Sequence, residues 1–255
     1  MKIDFALTAS DMSDHYLKLF PNIFRIWKKK FGIDCKLILI SDNIPDFLSN
    51  YIEHIILFKP IDKINTIFVA QVVRILYPCL FDNKNVIITD ADIFPISYNY
   101  FVKSIEDVPD SSFVTYRDAY LKDNMLSICY NVANSKTWYE IFGINDVSDI
   151  VNIIKLWYND EYTGQKNCAG WFTDQKKLYE YVMKWNSNRN RLVILNDSKL
   201  NFSRLDKRKR KYILENISKI KDNLKNNLYT DFHIIKPYNR YKKIVDEFVN
   251  IICEN

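Results

Sequence analysis

The sequence predicts an α/β protein: a mixed, mostly parallel central sheet flanked by helices, with a helical C-terminal extension. Three observations carry that expectation. Short apolar, β-branched runs alternate with helical patterns through the first half of the chain, the signature of crossover-connected parallel strands. One such run, Val86-Ile87-Ile88-Thr89, stops at two carboxylates, Asp90 and Asp92, spaced i, i+2. Hydrophobic residues make up 48% of the 255 and aromatic residues 15%, enough to cover a sheet on both faces.

The elements follow in order. Residues 3–8 read as the first strand. Tyr16, Phe20, Ile23, Phe24, Trp27 and Phe31 recur at helical spacing, with Pro21 as a bend and Gly32 as a stop. Residues 36–41 and 54–58 are short apolar strands. Val69, Val72, Val73 and Leu76 mark a helix closed by Pro78, and the strand 86–88 follows. Further on, 112–116 and 127–134 read as strands. Helices are expected from Ser135 and over 147–157 and 174–185, and a short strand over 193–195. Ile213, Ile217, Ile220 and Leu224 form one helical stripe, and Tyr241, Val245, Phe248 and Ile252 another. No internal repeat or low-complexity linker interrupts the chain, so residues 1–255 read as a single domain.

Composition narrows the function. A formal net charge of +5 is mild, favouring anionic partners without demanding nucleic acid. The five cysteines are dispersed and form no C-x-x-C pair, which argues against a zinc cage or a disulfide framework and for reduced thiols in a cytoplasmic compartment. The chain opens on a strand-like segment with no signal peptide ahead of it, and no apolar run approaches the roughly 18 residues of a membrane span. Only four glycines occur, too few and too scattered for a Gly-rich phosphate loop. A phosphate ligand must be held some other way, and a divalent metal is the obvious substitute.

A buried strand delivers Asp90 and Asp92 to its carboxyl end, where open α/β sheets bind ligands. Side chains at i and i+2 of an extended chain share a side, so the two can converge on one hard cation, and that cation suits a diphosphate. A neutral imidazole at His233 can complete a Mn²⁺ site, since that ion accepts both oxygen and nitrogen ligands. The bland alternative has the two aspartates capping a turn and His233 as a surface residue. His54 opens an apolar strand and reads as structural.

Several landmarks together resemble the GT-A glycosyltransferases of the glycogenin and lipopolysaccharide galactosyltransferase type (family 8 and relatives). They are Ala6-Leu7-Thr8-Ala9, Asp42, Gln71-Val72-Val73-Arg74, Asp90-Ala91-Asp92, Cys129-Tyr130-Asn131-Val132-Ala133-Asn134, Gly170-Trp171-Phe172-Thr173-Asp174-Gln175 and Asp231-Phe232-His233. The resemblance spans most of residues 1–240. It departs at Ala133, near the usual family glycine, and at His233-Ile234-Ile235-Lys236, which offers a lysine without the glycine of H-x-x-G-x-x-K. The ending through Lys236-Pro237-Tyr238 also resembles small virus-encoded glycosyltransferases of algal-virus type.

The resemblance implies a GT-A fold, with residues 1–100 as the nucleotide-binding half and 101–255 as the acceptor-binding half and C-terminal helices. It implies a donor UDP-sugar, a Mn²⁺ or Mg²⁺ cofactor, and a hydroxyl acceptor on a glycan, protein or lipid. Ala6, Leu7 and Thr8 would hold base and ribose, and Asp42 would read one of them. Arg74 would contact the donor and Asn131 the donor sugar. Asp90, Asp92 and His233 would hold the metal, Asp90 also touching ribose, and Lys236 would add charge at the phosphates. Asp174 would stand near the anomeric carbon, as a base in an inverting enzyme or as an orienting group in a retaining one; retention is the family's lean. Gln175 would bind the sugar. Plainer roles exist: Arg74 in a helix-surface ion pair, and Thr173 or Asp174 as an N-cap. Tyr116, Trp138, Trp157 and Trp171 can stack on sugars but default to core packing.

The basic run 207–211 reads first as a solvated helix start, and second as contact with anionic membrane or a polyanion. Nucleic acid is disfavoured because the charge sits in one block. Two rival functions remain. A sugar nucleotidyltransferase usually needs a Gly-rich N-terminal loop with a basic residue, and residues 6–14 contain no glycine, lysine or arginine. An inactive GT-A-like module docking on membrane or polyanion is the other.

Overall fold

The computed structural model describes residues 1–254. Its strands are β1 (Phe5–Asp11), β2 (Asp34–Ile40), β3 (Ile55–Phe58), β4 (Asn85–Thr89), β5 (Ile93–Pro95), β6 (Phe113–Thr115), β7 (Tyr130–Asn134), β8 (Leu192–Ile194), β9 (Arg204–Leu205) and β10 (Asp231–His233). Its helices are α1 (Phe20–Phe31), α2 (Thr66–Leu76), α3 (Tyr98–Phe101), α4 (Ser135–Phe142), α5 (Val147–Trp157), α6 (Thr173–Asn186), α7 (Arg210–Glu215), α8 (Ile217–Lys225) and α9 (Tyr238–Glu254).

Seven strands form the central sheet in the order β3-β2-β1-β4-β7-β6-β8. The first four are parallel, and β7 runs against both its neighbours. Alternation along the strands serves two cores. Ala6, Leu37, Leu39 and Ile87 face one side, covered by α1 and α9. Leu7, Ile38, Val86 and Ile88 face the other, covered by α2 and α4 to α6. Burial on both faces explains why these strands read as continuous apolar runs rather than alternating ones.

The strand order places β1 between β2 and β4, so the chain reverses its direction of sheet growth there. Such a switch point opens a crevice at the strands' carboxyl ends. The register shows how. β1 pairs with β2 along its whole length, to Asp11 opposite Ile40. On its other side it pairs with β4 only from Phe5–Val86 to Leu7–Ile88. Beyond Leu7 the two strands part, and the crevice begins.

A second sheet, in the order β5-β10-β9, escaped the sequence reading because its strands are only two or three residues long. In it, Asp231, Phe232 and His233 lie opposite Pro95, Phe94 and Ile93. Asp231 and Phe232 pair in parallel with Arg204 and Leu205.

Three local expectations change, and one holds. Pro21 occupies the first turn of α1, where its missing N–H costs nothing, and marks no bend. Gly32 does end that helix, in the left-handed conformation at φ 67° with its N–H on Trp27 O. The stripe from Ile213 to Leu224 is broken at Asn216 into α7 and α8. Finally, α6 begins after Phe172 without a side-chain cap, so neither Thr173 nor Asp174 serves as one.

Asp231 is fully buried, and its carboxylate takes Arg204 Nε at 2.8 Å and Nη2 at 2.5 Å. Removing one partner of such a pair strands a charge in the interior. Arg204→Met should therefore cost about 3–5 kcal/mol of stability in urea unfolding; a loss under about 1 kcal/mol, the range of exposed pairs, would contradict this role.

Candidate active site

The crevice is floored by Ala9, Ser10 and Asp11 from the end of β1 and by Asp90, Ala91 and Asp92 after β4. Ile67, Ala70, Gln71 and Arg74 of α2 form one wall together with Trp171, Asp174 and Gln175 at the start of α6. Tyr16, Lys207 and His233 close the other side. Two charge clusters organise it, one around Arg74 and one around Asp92.

Arg74 is 7% exposed, far from the helix-surface alternative. All three of its guanidinium nitrogens are engaged. Nη1 pairs with Asp90 Oδ1 and donates to Thr89 O at 3.3 Å; Nη2 meets Asp174 Oδ2 at 3.3 Å; Nε donates to Gln71 O at 3.3 Å. Burial opposes the arginine's charge, yet Asp90 and Asp174 outweigh it and hold the pKa above the usual arginine range. Asp174 itself is 2% exposed. Burial pushes its carboxyl up to about 6, against the pull of Arg74 and of the Gln175 N–H, which donates to Oδ1 at 2.8 Å.

Asp92 gathers the second cluster. His233 Nε2, Lys207 Nζ and Lys236 Nζ stand 3.2, 3.3 and 2.7 Å from its Oδ2. Burial would raise this carboxyl's pKa, but the His233 hydrogen bond, the imidazole and the two ammonium groups hold it well below the usual carboxylate range. Strand pairing explains the meeting. His233 lies opposite Ile93, and Ile234 N donates to Asp92 O at 3.1 Å, so β10 runs directly beside the turn that carries Asp92. Leu205 pairs with Phe232, which brings Lys207, two residues past β9, alongside the same turn. Lys236 lies over the Tyr16 ring, 3.8 Å from its centroid.

The expected residues are thus only partly brought together. Asp92, His233 and Lys236 converge; Arg74, Asp90, Asp174 and Gln175 form the facing wall. Asp90 and Asp92 sit in a turn after β4, not on an extended strand, so they diverge: Asp90 turns to Arg74 and Asp92 to β10. Among the described residues, no three His, Cys, Asp or Glu side chains surround one point in the manner of a metal cage. The Asp92–His233 pair still fits a shared ion. Two ligands about 2.1 Å from an octahedral cation and at right angles stand about 3 Å apart, close to the 3.2 Å observed.

Other positions move. Ala6, Leu7 and Thr8 are fully buried within the sheet, and the chain reaches the crevice only at Ala9, Ser10 and Asp11. Asp42 is exposed in the turn after β2, outside the crevice lining. Asn131 is fully buried, donates from Nδ2 to Ser127 O at 2.8 Å, and lies outside the lining too. Of the four aromatic candidates, Tyr116, Trp138 and Trp157 are core residues, while Trp171 lines the crevice, stacked on Tyr162 at 6.4 Å and 7°.

Asp11, Tyr16 and Lys207 line the crevice without having been singled out from sequence as site residues. Asp11 accepts Thr66 Oγ1 at 2.9 Å and Ser13 N at 3.0 Å; its position at the strand end was the available signal. By spacing Tyr16 continues the α1 stripe, although it precedes that helix. Lys207 belongs to the basic run in sequence, yet it turns inward to Asp92, while the side chains of Arg208 and Lys211 are 84% and 90% exposed.

No protein-family model matches the chain, and no curated protein matches it in sequence. Solved structures do resemble it. The bifunctional glycosyltransferase WbbM, in apo form, has a TM-score of 0.51 at 13% identity, over 98% of this chain and 50% of that one. The galactosyltransferase LgtC, in complex with donor and acceptor sugar analogs, gives 0.48 at 10% identity, over 98% and 95%. The apo-form glycosyltransferase GlyE of Streptococcus pneumoniae TIGR4 gives 0.49 at 10% identity, over 100% and 63%. The chain therefore spans about half to two thirds of the WbbM and GlyE chains and nearly all of the LgtC chain. At these identities the likeness shows the fold, which is of the GT-A type.

Arg74 and the two carboxylates it joins behave as one unit. Arg74→Met should destabilise the protein by about 3 kcal/mol or more, because two acidic groups lose their shared cation. Adding Asp174→Asn should recover at least about 1 kcal/mol of that loss. Strict additivity in this double-mutant cycle would show that the Arg74–Asp174 contact carries no energy.

Proposed function

We propose that this protein is a glycosyltransferase that moves a hexose from a nucleotide-sugar, a UDP-sugar in the first instance, to a hydroxyl acceptor with the help of a divalent cation. The observation that carries the reading is the convergence of Asp92, His233, Lys207 and Lys236 on one side of a switch-point crevice whose facing wall carries Asp174 and Gln175. One side is equipped for a diphosphate, the other for a sugar.

Asp92 and His233 would hold a Mn²⁺ or Mg²⁺ ion. When bound, such an ion neutralises charge developing on a departing nucleoside diphosphate. The chain's own groups do the rest. Lys207 and Lys236 supply ammonium donors for phosphate oxygens. The floor at Ser10 and Asp11, with Tyr16 beside it, offers polar groups and a ring face to a nucleoside. Asp90, pinned by Arg74, faces the crevice from the turn. Asp174 has both carboxylate oxygens engaged, by Arg74 and by the Gln175 N–H, so it acts as a fixed negative group beside the sugar rather than as a free base. That favours retention at the anomeric carbon. Gln175 contributes a carboxamide that both donates and accepts.

The exposed Arg208 and Lys211 side chains support a further contact with anionic membrane or a polyanion beside the crevice. No helix among the described residues is long and apolar enough to cross a membrane.

Calorimetry with UDP should show binding that Mn²⁺ strengthens, and UDP-sugar hydrolysis should require the ion. Asp92→Asn should lower the metal-dependent affinity or turnover by about 100-fold or more while leaving the far-ultraviolet circular dichroism unchanged. Absence of UDP binding with and without Mn²⁺ would overturn the reading. Turnover should also fall as pH drops through about 6, where Asp174 takes up a proton and loses the charge it presents. In Asp174→Asn the residual activity should lose that acid limb; persistence of the limb would assign it to another group.

A further inference from the structure

The groups around Asp92 do not balance its charge. One carboxylate carries a single negative charge, while Lys207 and Lys236 bring two positive ones to the same oxygen, and the His233 nitrogen meets it too. Asp92 is 7% exposed, so water screens the cluster weakly. The crevice is therefore over-neutralised on the side that carries Asp92.

This excess has opposite consequences for two ligands. A divalent cation arriving alone between Asp92 and His233 must share Oδ2 with two ammonium groups, and even at the other carboxylate oxygen it sits beside both of them. A nucleoside diphosphate brings anionic oxygens to which the ammonium groups can turn, which frees Asp92. Lys207 is suited to such a move. Its side chain is 35% exposed and Asp92 is its one ion-pair partner among the described residues. It stands at the start of a turn fixed by Asp206, whose carboxylate accepts Arg208 N at 2.8 Å, so its backbone stays in place while the side chain swings. Lys236 is more confined, with 23% exposure and its ammonium over the Tyr16 ring.

We propose that Lys207, assisted by Lys236, is an exchangeable counter-ion: it neutralises Asp92 in the ligand-free protein in solution and passes to the diphosphate when a divalent cation takes the carboxylate, so that cation and nucleotide bind with positive coupling. The proposal rests on reading the crevice as a nucleotide and cation site, and it adds a role for a lysine that otherwise looks like part of a solvated basic run. Linkage makes the coupling reciprocal: whatever factor UDP adds to cation affinity, the cation adds to UDP affinity.

The test is a Mn²⁺ titration followed by the electron paramagnetic resonance signal of free aqueous Mn²⁺, with and without UDP. It would be run on the wild-type chain, on Lys207→Met, which keeps the apolar stem, and on Lys207→Arg, which keeps the charge. Thermal melting checks that each variant is folded. Wild type should bind Mn²⁺ weakly alone and about ten-fold or more tightly with UDP. Lys207→Met should bind Mn²⁺ alone several-fold more tightly than wild type, bind UDP in the absence of metal more weakly, and show reduced coupling. Lys207→Arg should resemble wild type. If wild type binds Mn²⁺ with UDP but Lys207→Met leaves the affinity for Mn²⁺ alone unchanged, the counter-ion role is wrong while the site reading stands. Equal Mn²⁺ affinity with and without UDP in wild type overturns the coupling. If wild type binds no Mn²⁺ under either condition, the cation reading falls and this inference with it.

Discussion

The pairing of β10 with β5 is the constraint on which the rest of the site depends. Three residues, Asp231 to His233, lie antiparallel to Ile93–Pro95, and that short ladder sets an imidazole beside a carboxylate 141 positions earlier in the chain. A slip of one residue would turn His233 to the opposite face and put a core residue in its place. Several features guard the register. Phe232 is fully buried and packs edge-on against Phe94 and close to Phe248 of α9. Asp231 is locked to Arg204 on β9, and β9 in turn positions Lys207. The C-terminal helix thus belongs to the same device as the site, because it covers the back of the sheet that carries His233.

Opposite this sheet, Arg74 fixes the second half of the crevice. It does so by satisfying two carboxylates at once, one from the turn after β4 and one from the start of α6. The crevice is then bounded by groups whose charges are already held in place: a negative, arginine-bound wall and an over-neutralised aspartate facing it. Fixed charges in a partly dry cleft act without the reorganisation that water would require, which is the general source of electrostatic catalysis. The same arrangement makes single substitutions non-additive, since removing Arg74 or Asp92 leaves partners with nothing to neutralise them.

Much of this architecture is legible in the sequence. The β1–β4 framework shows as apolar runs because both faces are covered, and α5 matches its expected limits because Asp146 caps it cleanly, accepting Ser148 N and Asp149 N. The site was legible where chemistry is concentrated in few residue types: two aspartates after a strand, one late histidine, a Thr-Asp-Gln segment. It was illegible where it depended on partners. Arg74 could be a surface ion pair until its burial between Asp90 and Asp174 is seen. Lys207 looked solvated because its neighbours are. The family resemblance places Ala6 to Thr8 at the nucleotide, but where β1 parts from β4 is a property of register. The two- and three-residue strands β5, β9 and β10 carry no period at all, so the sheet that builds half the site had no local signal.

Soaking a crystal of the protein with UDP and Mn²⁺ would decide the matter. The diphosphate is expected at the mouth of the β1–β4 crevice, the ion bonded to Asp92 and His233, and Lys207 Nζ moved from Asp92 onto a phosphate oxygen. A nucleotide bound elsewhere on the surface, or an ion that ignores both Asp92 and His233, would contradict it.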